Sequence, residues 1–265
     1  MTRETVLLSF NGPVATLTLN RPETLNSISN PLVRDMRDAL AEVRAAKSAR
    51  ALILTGAGRG FCAGAELGDA LLSGDGTQSP GATLNANLRD HINPLMVELN
   101  ELPIPTIAAV NGPAAGAGVG FALAADITLA AHSAYFILTF GPKLGLIPDA
   151  GSSWHLPRRI GIARAMALAL LGNKLSAQQA AQWGLIWEAV ADDQLSAAAL
   201  QLAQTLARAP SHIALELRRA TAQALSNTLE AQLDYERERQ CVLVEKPTFK
   251  EGVCAFKQKR APVFD

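Results

Sequence analysis

One carboxylate stands out in this chain. Asp149 lies in Phe140-Gly-Pro-Lys-Leu-Gly-Leu-Ile-Pro-Asp-Ala-Gly-Ser-Ser-Trp154, where its neighbours Leu144, Leu146, Ile147, Pro148, Ala150 and Trp154 give no structural reason for a charge. Apolar company disfavours the ionised form and raises a carboxylate's pKa toward the range useful for proton transfer. Two glycine-rich turns precede it, Gly56–Gly64 and Gly112–Gly120, each after an apolar, strand-like run. Turns of this kind can aim backbone N–H groups at a developing negative charge. One tuned acid/base and two backbone donors are enough to handle an enolate. The local sequence also admits two structural roles for Asp149. It could cap a helix starting near Ala150, or pair with Arg158 or Arg159 in a buried salt bridge.

Other chemistries find less support. The first turn, Thr55-Gly-Ala-Gly-Arg-Gly-Phe-Cys-Ala-Gly64, has Phe61 where a dinucleotide-binding fingerprint needs glycine. Its small, apolar Phe61-Cys62-Ala63 segment indicates a buried loop with backbone donors. His91, His132, His155 and His212 lack metal-ligand spacing, so no metal site is expected. No G-x-S-x-G elbow surrounds Ser152-Ser153, and Cys62 reads as a small core residue rather than a nucleophile. Phe256-Lys-Gln-Lys-Arg260 is either a solvated face or a phosphate contact. Asp234–Arg239 alternates charge as an exposed helix face does.

The elements that must hold these groups follow from periodicity. Val6–Phe10 and Val14–Asn20 flank Asn11-Gly12-Pro13 and predict an antiparallel hairpin. Asn30-Pro31 opens a helix, with Asn30 as N-cap and Leu32, Met36, Leu40 and Val43 as its apolar stripe. Ala51–Thr55, Pro105–Val110 and Ile127–Ala130 are strands, and Ala117–Ala125 is a short helix of small residues. Ser73–Ala86 reads as a mobile loop, followed by a helix over roughly residues 88–102. Strand and helix alternating through short loops imply right-handed crossovers and a mainly parallel α/β sheet. After residue 150 the pattern turns helical: Ile162–Leu171, Ser176–Trp183, Leu195–Ala207, His212–Ser226 and Thr228–Val244.

Composition narrows the class. The 265 residues are 49 % apolar and 18 % charged with a formal net charge of +0, which supports a sizeable core. The charge balance argues against nucleic-acid binding. Cys62, Cys241 and Cys254 are odd in number and contain no CxxC pair, which suits a reducing compartment. The N-terminus does not read as a signal peptide, and polar residues interrupt the least polar stretch, Ile104–Ala131, so no membrane span is expected. A cytoplasmic protein is the expectation.

Taken together, the segments resemble the crotonase superfamily, the enoyl-CoA hydratase/isomerase fold. The resemblance runs through Leu19-Asn-Arg-Pro-Glu-Thr-Leu-Asn26, the Gly58–Leu67 turn, Ile104–Gly112, Gly116–Asp126, Gly145–Gly151 and Phe256–Phe264. It implies a crotonase-like ββα spiral core over residues 1–200 and a C-terminal helical trimerisation region over residues 201–265. By the same resemblance, the N–H groups of Ala65 and Ala117 would hold an acyl-CoA thioester oxygen. Glu23, Leu25, Ala63, Glu66, Leu67 and Gly68 would line the coenzyme A groove. Lys259 matches a lysine that in relatives reaches the coenzyme A phosphates, commonly from a neighbouring subunit. The expected assembly is a homotrimer or homohexamer. No cofactor is implied beyond the coenzyme A of the substrate.

The departures from the pattern indicate the chemistry. Hydratases of the superfamily use two glutamates about a water; at the matching places this chain has Gly120 and Gly141. Asp149 matches the acid/base position of the enoyl-CoA isomerases. The run Gly145–Arg158 resembles the isomerases that act on the ring-1,2-epoxide of phenylacetyl-CoA, although Gly151-Ser-Ser153 stands where that group usually has Gly-Gly-Thr. The resemblance implies an isomerase moving a 3-enoyl double bond to the 2-position or rearranging that epoxide. The alternatives are a hydratase using Asp149 and Glu66, and a non-catalytic coenzyme A-binding homologue. RNA binding, known for a lysine-rich relative, conflicts with the mixed charges of Glu230–Arg239.

Overall fold

The computed structural model describes residues 3–66 and 78–264. Strands β1 (Val6–Asn11) and β2 (Val14–Leu19) form the antiparallel hairpin, turning at Gly12 with φ 57°. β3 (Ala51–Gly56), β4 (Thr106–Val110), β6 (Ile127–Ala131) and β9 (Glu188–Val190) then add in parallel, giving the order β1-β2-β3-β4-β6-β9. Every residue of β4 is buried, as a parallel strand covered on both faces requires. A smaller sheet, β5 (Ala114–Ala115), β7 (Tyr135–Ile137) and β8 (Leu175–Ser176), lies beside it in the order β5-β7-β8.

Helix α1 (Asn30–Ala45) buries the expected Leu32, Met36, Leu40 and Val43. Its N-cap is Ser29 rather than Asn30: the Ser29 hydroxyl accepts from the Leu32 N–H at 3.4 Å, and Asn30 is the first helical residue. The loop expectation for 73–86 needs a larger correction. Residues 73–77 lie outside the described residues, but Pro80–Asn87 is helix α2, capped by the Ser79 hydroxyl, which accepts from the Ala82 N–H at 3.2 Å. A π-helical stretch, Leu88–Ile92, joins it to α3 (Asn93–Asn100). Pro94 brings no N–H and crowds the preceding turn, and the wider π turn absorbs that.

Helix α4 (Ala117–Leu123) follows the second glycine-rich turn. Helix α5 (Ser152–Leu171) begins ten residues before the expected start and breaks at Gly161, whose φ is 76° and ψ 163°. The last third also contributes strands β8 and β9, which alanine-rich surroundings and short length concealed. Helices α6 (Ala177–Gln182), α7 (Leu195–Leu206), α8 (Ile213–Ala224), α9 (Leu229–Val244) and α10 (Pro247–Gln258) complete the described chain. Arg218 clasps α8 to the core: it reaches Asp126 Oδ1 at 2.5 Å and Oδ2 at 2.6 Å, and the carbonyls of Asn100, Leu102 and Ile104. Beyond it, α9 buries none of its side chains, and Leu229 (76 % exposed) and Phe256 (85 %) face outward.

Candidate active site

The first glycine-rich turn is pinned by two asparagines. Asn26, fully buried at φ 58°, donates from Nδ2 to the carbonyls of Ala57 (3.0 Å) and Gly60 (2.8 Å), and its Oδ1 accepts from the Arg21 N–H at 2.8 Å. Asn111 donates to the carbonyls of Gly58 (3.0 Å) and Gly60 (3.2 Å), and accepts from the Gly56 N–H at 3.1 Å. The N–H groups of Phe61, Cys62 and Ala63 are then consumed by Pro113 and Leu25 carbonyls, and those of Ile28 and Glu66 by each other's neighbourhood: Ile28 donates to Gly64 and Glu66 to Ile28. Ala65, between them, has an N–H with no acceptor among the described residues.

The second donor lies beside it. Ala117 is the first residue of α4, so no helical carbonyl precedes it to accept its N–H. Glycines allow the two segments to meet. A Cβ at Gly64 would sit 2.7 Å from the Ala115 carbonyl oxygen and 3.3 Å from the Ala117 nitrogen, and one at Gly118 only 2.2 Å from the Cys62 oxygen. Cys62 itself is fully buried, and burial pushes its thiol up to about 12, so it stays protonated and inert.

Asp149 enters from the turn before α5. Ala150 (φ 46°) and Gly151 (φ 77°) are consecutive left-handed residues, and the Asp149 carbonyl accepts from the Ser152 N–H at 2.8 Å. The turn packs directly on α4 at Gly120, where a Cβ would fall 2.1 Å from the Ala150 oxygen. Both structural roles open to Asp149 in the sequence are absent. The cap of α5 is Gly151, with no side-chain bond. Arg159 instead donates to the carbonyls of Leu123 (2.6 Å), Ala125 (3.1 Å) and Leu185 (3.1 Å), and Arg158 stacks over the Trp154 ring at 4.1 Å. Asp149 Oδ1 is buried with no hydrogen-bond partner, and burial holds the carboxyl above the ordinary aspartate range.

The source of that burial differs from the sequence reading. Leu144, Leu146, Ile147 and Trp154 are exposed, Ile147 by 82 %. The cover comes from across the chain: Asp149, Ala65 and Ala117 line one cleft of about 440 Å³, walled by Ile28, Leu84, Leu88 and Ile92. His155, one turn into α5, is pushed down to about 4 by its burial and by Arg159 and Arg158, so it is neutral at pH 7 and does not offset the Asp149 charge.

The remaining candidates are placed less uniformly. Glu66 lines the cleft, with its carboxylate held by Arg21 at 3.1 Å. Glu23 is exposed on the short Pro22–Thr24 turn. Leu25 accepts the Ala63 N–H at 2.9 Å and packs on Gly60, and Ala63 is half-buried; none of these three lines the cleft. Lys259 caps the C-terminal end of α10 at φ 52°, exposed and away from the cleft lining. Leu67 and Gly68 lie outside the described residues. The glutamate-matching positions are sterically closed: Gly120 by Ala150, and Gly141 by the Ala169 oxygen, 2.7 Å from its would-be Cβ.

Size does not identify the site. A larger groove, about 1300 Å³, runs between α1 and α3, but it holds neither Asp149 nor the glycine turns. Its arginines are committed: Arg37 to Glu98 at 2.6 Å, and Arg44 to the Glu98 and Glu101 carbonyls. The pinning by Asn26 and Asn111 and the α2 wall of the cleft are not among the features expected from the sequence. The Ser79-Pro80 pair, an N-cap followed by proline at the first helical position, carried the signal for α2.

Comparison with known proteins identifies the family. The model of the enoyl-CoA hydratase/isomerase family matches residues 9–265. The chain is 47 % identical to the 1,2-epoxyphenylacetyl-CoA isomerase of Escherichia coli K12 over 98 % of both proteins. It is 42 % identical to a Rhodobacter capsulatus protein named "Probable enoyl-CoA hydratase", covering 100 % of this chain and 99 % of that one. A solved enoyl-CoA hydratase from Polaromonas sp. JS666 superposes with a TM-score of 0.89 at 30 % identity, over 98 % of this chain and 99 % of that one.

Proposed function

The chain belongs to the enoyl-CoA hydratase/isomerase family, the crotonase fold, and from that premise we propose that it is an isomerase with Asp149 as its single acid/base. The observation that carries the reading is the unpartnered, buried Asp149 oxygen in one cleft with the Ala65 and Ala117 backbone. An acyl-CoA thioester places its carbonyl oxygen against those two N–H groups. Ionised Asp149 takes a proton from C2; the C2–H electron pair moves toward the carbonyl, and the charge settles on the thioester oxygen. Protonated Asp149 returns the proton at C4, and the double bond passes from the 3- to the 2-position. Each oxyanion donor is worth about 3 kcal/mol of barrier, and the acid/base on the order of 100- to 10,000-fold in rate.

The same site supports rearrangement of the ring-1,2-epoxide of phenylacetyl-CoA to an oxepin, the substrate type in the name of the E. coli relative. Glu23, Leu25, Ala63, Leu67 and Gly68 bind the coenzyme A moiety, and Lys259 serves a phosphate across a subunit contact made by the helices of residues 201–265. Their exposed apolar residues, Leu229 and Phe256 among them, favour a homotrimer or homohexamer. No metal or redox cofactor takes part. Hydration is the second reading, because Glu66 shares the cleft with Asp149. Its ion pair with Arg21 and the closed Gly120 and Gly141 positions weigh against it.

The test is a panel of 3-hexenoyl-CoA, crotonyl-CoA and the ring-1,2-epoxide of phenylacetyl-CoA, each with the wild type and Asp149→Asn. Isomerisation of the first or third that is lost in the variant is the expected outcome. Hydration of crotonyl-CoA that survives the substitution would replace Asp149 and establish the hydratase reading.

A further inference from the structure

Helix α2 and the first residue of the π-helical stretch after it turn two adjacent stripes toward the cleft. Leu84 and Leu88 form an apolar one; Thr83 and Asn87, also four residues apart, form a polar one. The Thr83 end of the polar stripe is not spent on holding the fold. The Thr83 hydroxyl oxygen is buried and has no hydrogen-bond partner among the described residues, as is true of Asp149 Oδ1 in the same cleft. Asn87 reaches across to α1, donating to the Asn30 side-chain oxygen at 2.6 Å, and Asn30 lines the cleft too. The chamber therefore has an oily wall with one polar edge.

That edge discriminates. Under a plain hydrocarbon chain, the buried Thr83 hydroxyl would stay unpaired, a costly state for a polar group. A ligand oxygen within its reach would supply the missing bond. Sites built around a polar group reject analogues that lack its complement far more strongly than apolar pockets reject an added hydroxyl.

We propose that Thr83 donates its hydroxyl hydrogen to an oxygen carried on the acyl group, so that the cleft selects acyl thioesters with an epoxide, ether or hydroxyl oxygen on an apolar ring over their hydrocarbon counterparts. The assignment rests on the acyl-CoA reading above and makes Thr83 a specificity-determining residue of that site. It involves no chemical step: one hydrogen bond forms on binding, and Asp149 remains the group that moves the proton.

Binding of stable thioesters tests this apart from turnover. Dissociation constants for 2-hydroxyphenylacetyl-CoA and phenylacetyl-CoA are measured by calorimetry with the wild type, Thr83→Val, Thr83→Ser and Asp149→Asn, each checked by thermal melting. The wild type should favour the hydroxylated thioester about tenfold, the scale of one hydrogen bond. Thr83→Ser, which restores the hydroxyl, should keep that preference; Thr83→Val, its isostere without the hydroxyl, should reduce it to about one. Asp149→Asn should retain the preference even where it abolishes turnover. A preference that is absent in the wild type, survives Thr83→Val, or vanishes in Asp149→Asn overturns the assignment. Failure of the wild type to bind either thioester overturns the acyl-CoA reading and the Thr83 assignment with it.

Discussion

Gly120 offers the sharpest perturbation, because adding one methyl group there moves the turn that carries Asp149 without removing any polar side chain. In the folded protein the added Cβ of Gly120→Ala would lie 2.1 Å from the Ala150 oxygen, 2.9 Å from its carbonyl carbon and 3.0 Å from its Cβ. Real Cβ atoms essentially never come nearer than 3.0 Å, so the contact is short by roughly 0.9 Å. The obstacle is backbone rather than the end of a flexible side chain. Ala150 is already strained at φ 46°, so the whole Asp149–Gly151 turn must retreat from α4. Overpacking of this kind costs about 1–3 kcal/mol, a few degrees in Tm for a chain of this size. A misplacement of about 1 Å at the acid/base costs on the order of 100-fold in rate. The assay is kcat and KM for 3-hexenoyl-CoA alongside a circular-dichroism melt. The loss should fall mainly on kcat. Gly120→Ala combined with Asp149→Asn should be no slower than Asp149→Asn alone, since both act through one group. A variant with a lowered Tm and unchanged kcat would refute the link between the turn and the chemistry, and wild-type values of both would refute the packing argument itself.

Four further outcomes follow from the same geometry. Asp149 has its folded pKa raised by burial, so its ionised form is disfavoured by folding and wild-type stability declines as pH rises through that folded value. Asp149→Asn should therefore melt higher than the wild type at pH 7, with the gap closing below the unfolded value of 3.8; a lower Tm at pH 7 would contradict the unpartnered carboxylate. Because the base must be ionised, wild-type kcat/KM should fall on the acid side with a midpoint above the ordinary aspartate value, measured in a pH–rate profile; a midpoint at or below it would remove the role of burial. Ala117→Pro deletes the second donor at a helix position where proline is well tolerated. It should fold normally and lose about 100- to 1000-fold in kcat, whereas near-wild-type turnover would show that this N–H does not face the developing charge. Asn26→Ala breaks three bonds of a fully buried side chain and should cost at least about 2 kcal/mol in urea titration; an undisturbed midpoint would mean the first turn is held elsewhere.

Much of this site was legible because its parts announce themselves locally. The hairpin, the parallel strands through β6 and the stripe of α1 follow from alternation and helical spacing, and Asp149 stood out as a charge in an apolar run. What the sequence concealed was long-range. Asn26 and Asn111 are ordinary turn residues until the fold brings both to the Gly56–Gly60 carbonyls. The apolar cover of Asp149 comes from Ala65, Ala117 and α2, whereas its sequence neighbours Ile147 and Leu146 face solvent. Strand β9 is three residues long and is defined by its pairing with β6, which no local pattern reveals. Helix α2 was hidden by glycine, serine and threonine, whose weak helix propensity is outweighed by the Ser79 cap and by packing of Leu84 and Leu88.

In the proposed mechanism, Asp149 removes a proton from C2 while two backbone N–H groups hold the resulting charge. Proton exchange at C2 of phenylacetyl-CoA in deuterated buffer, followed by nuclear magnetic resonance, isolates that step from any later rearrangement. The wild type should catalyse the exchange, and Asp149→Asn, while still binding the thioester, should slow it by at least about 100-fold. Exchange that proceeds at the wild-type rate in Asp149→Asn, or wild-type protein that binds the thioester and exchanges nothing, would contradict it.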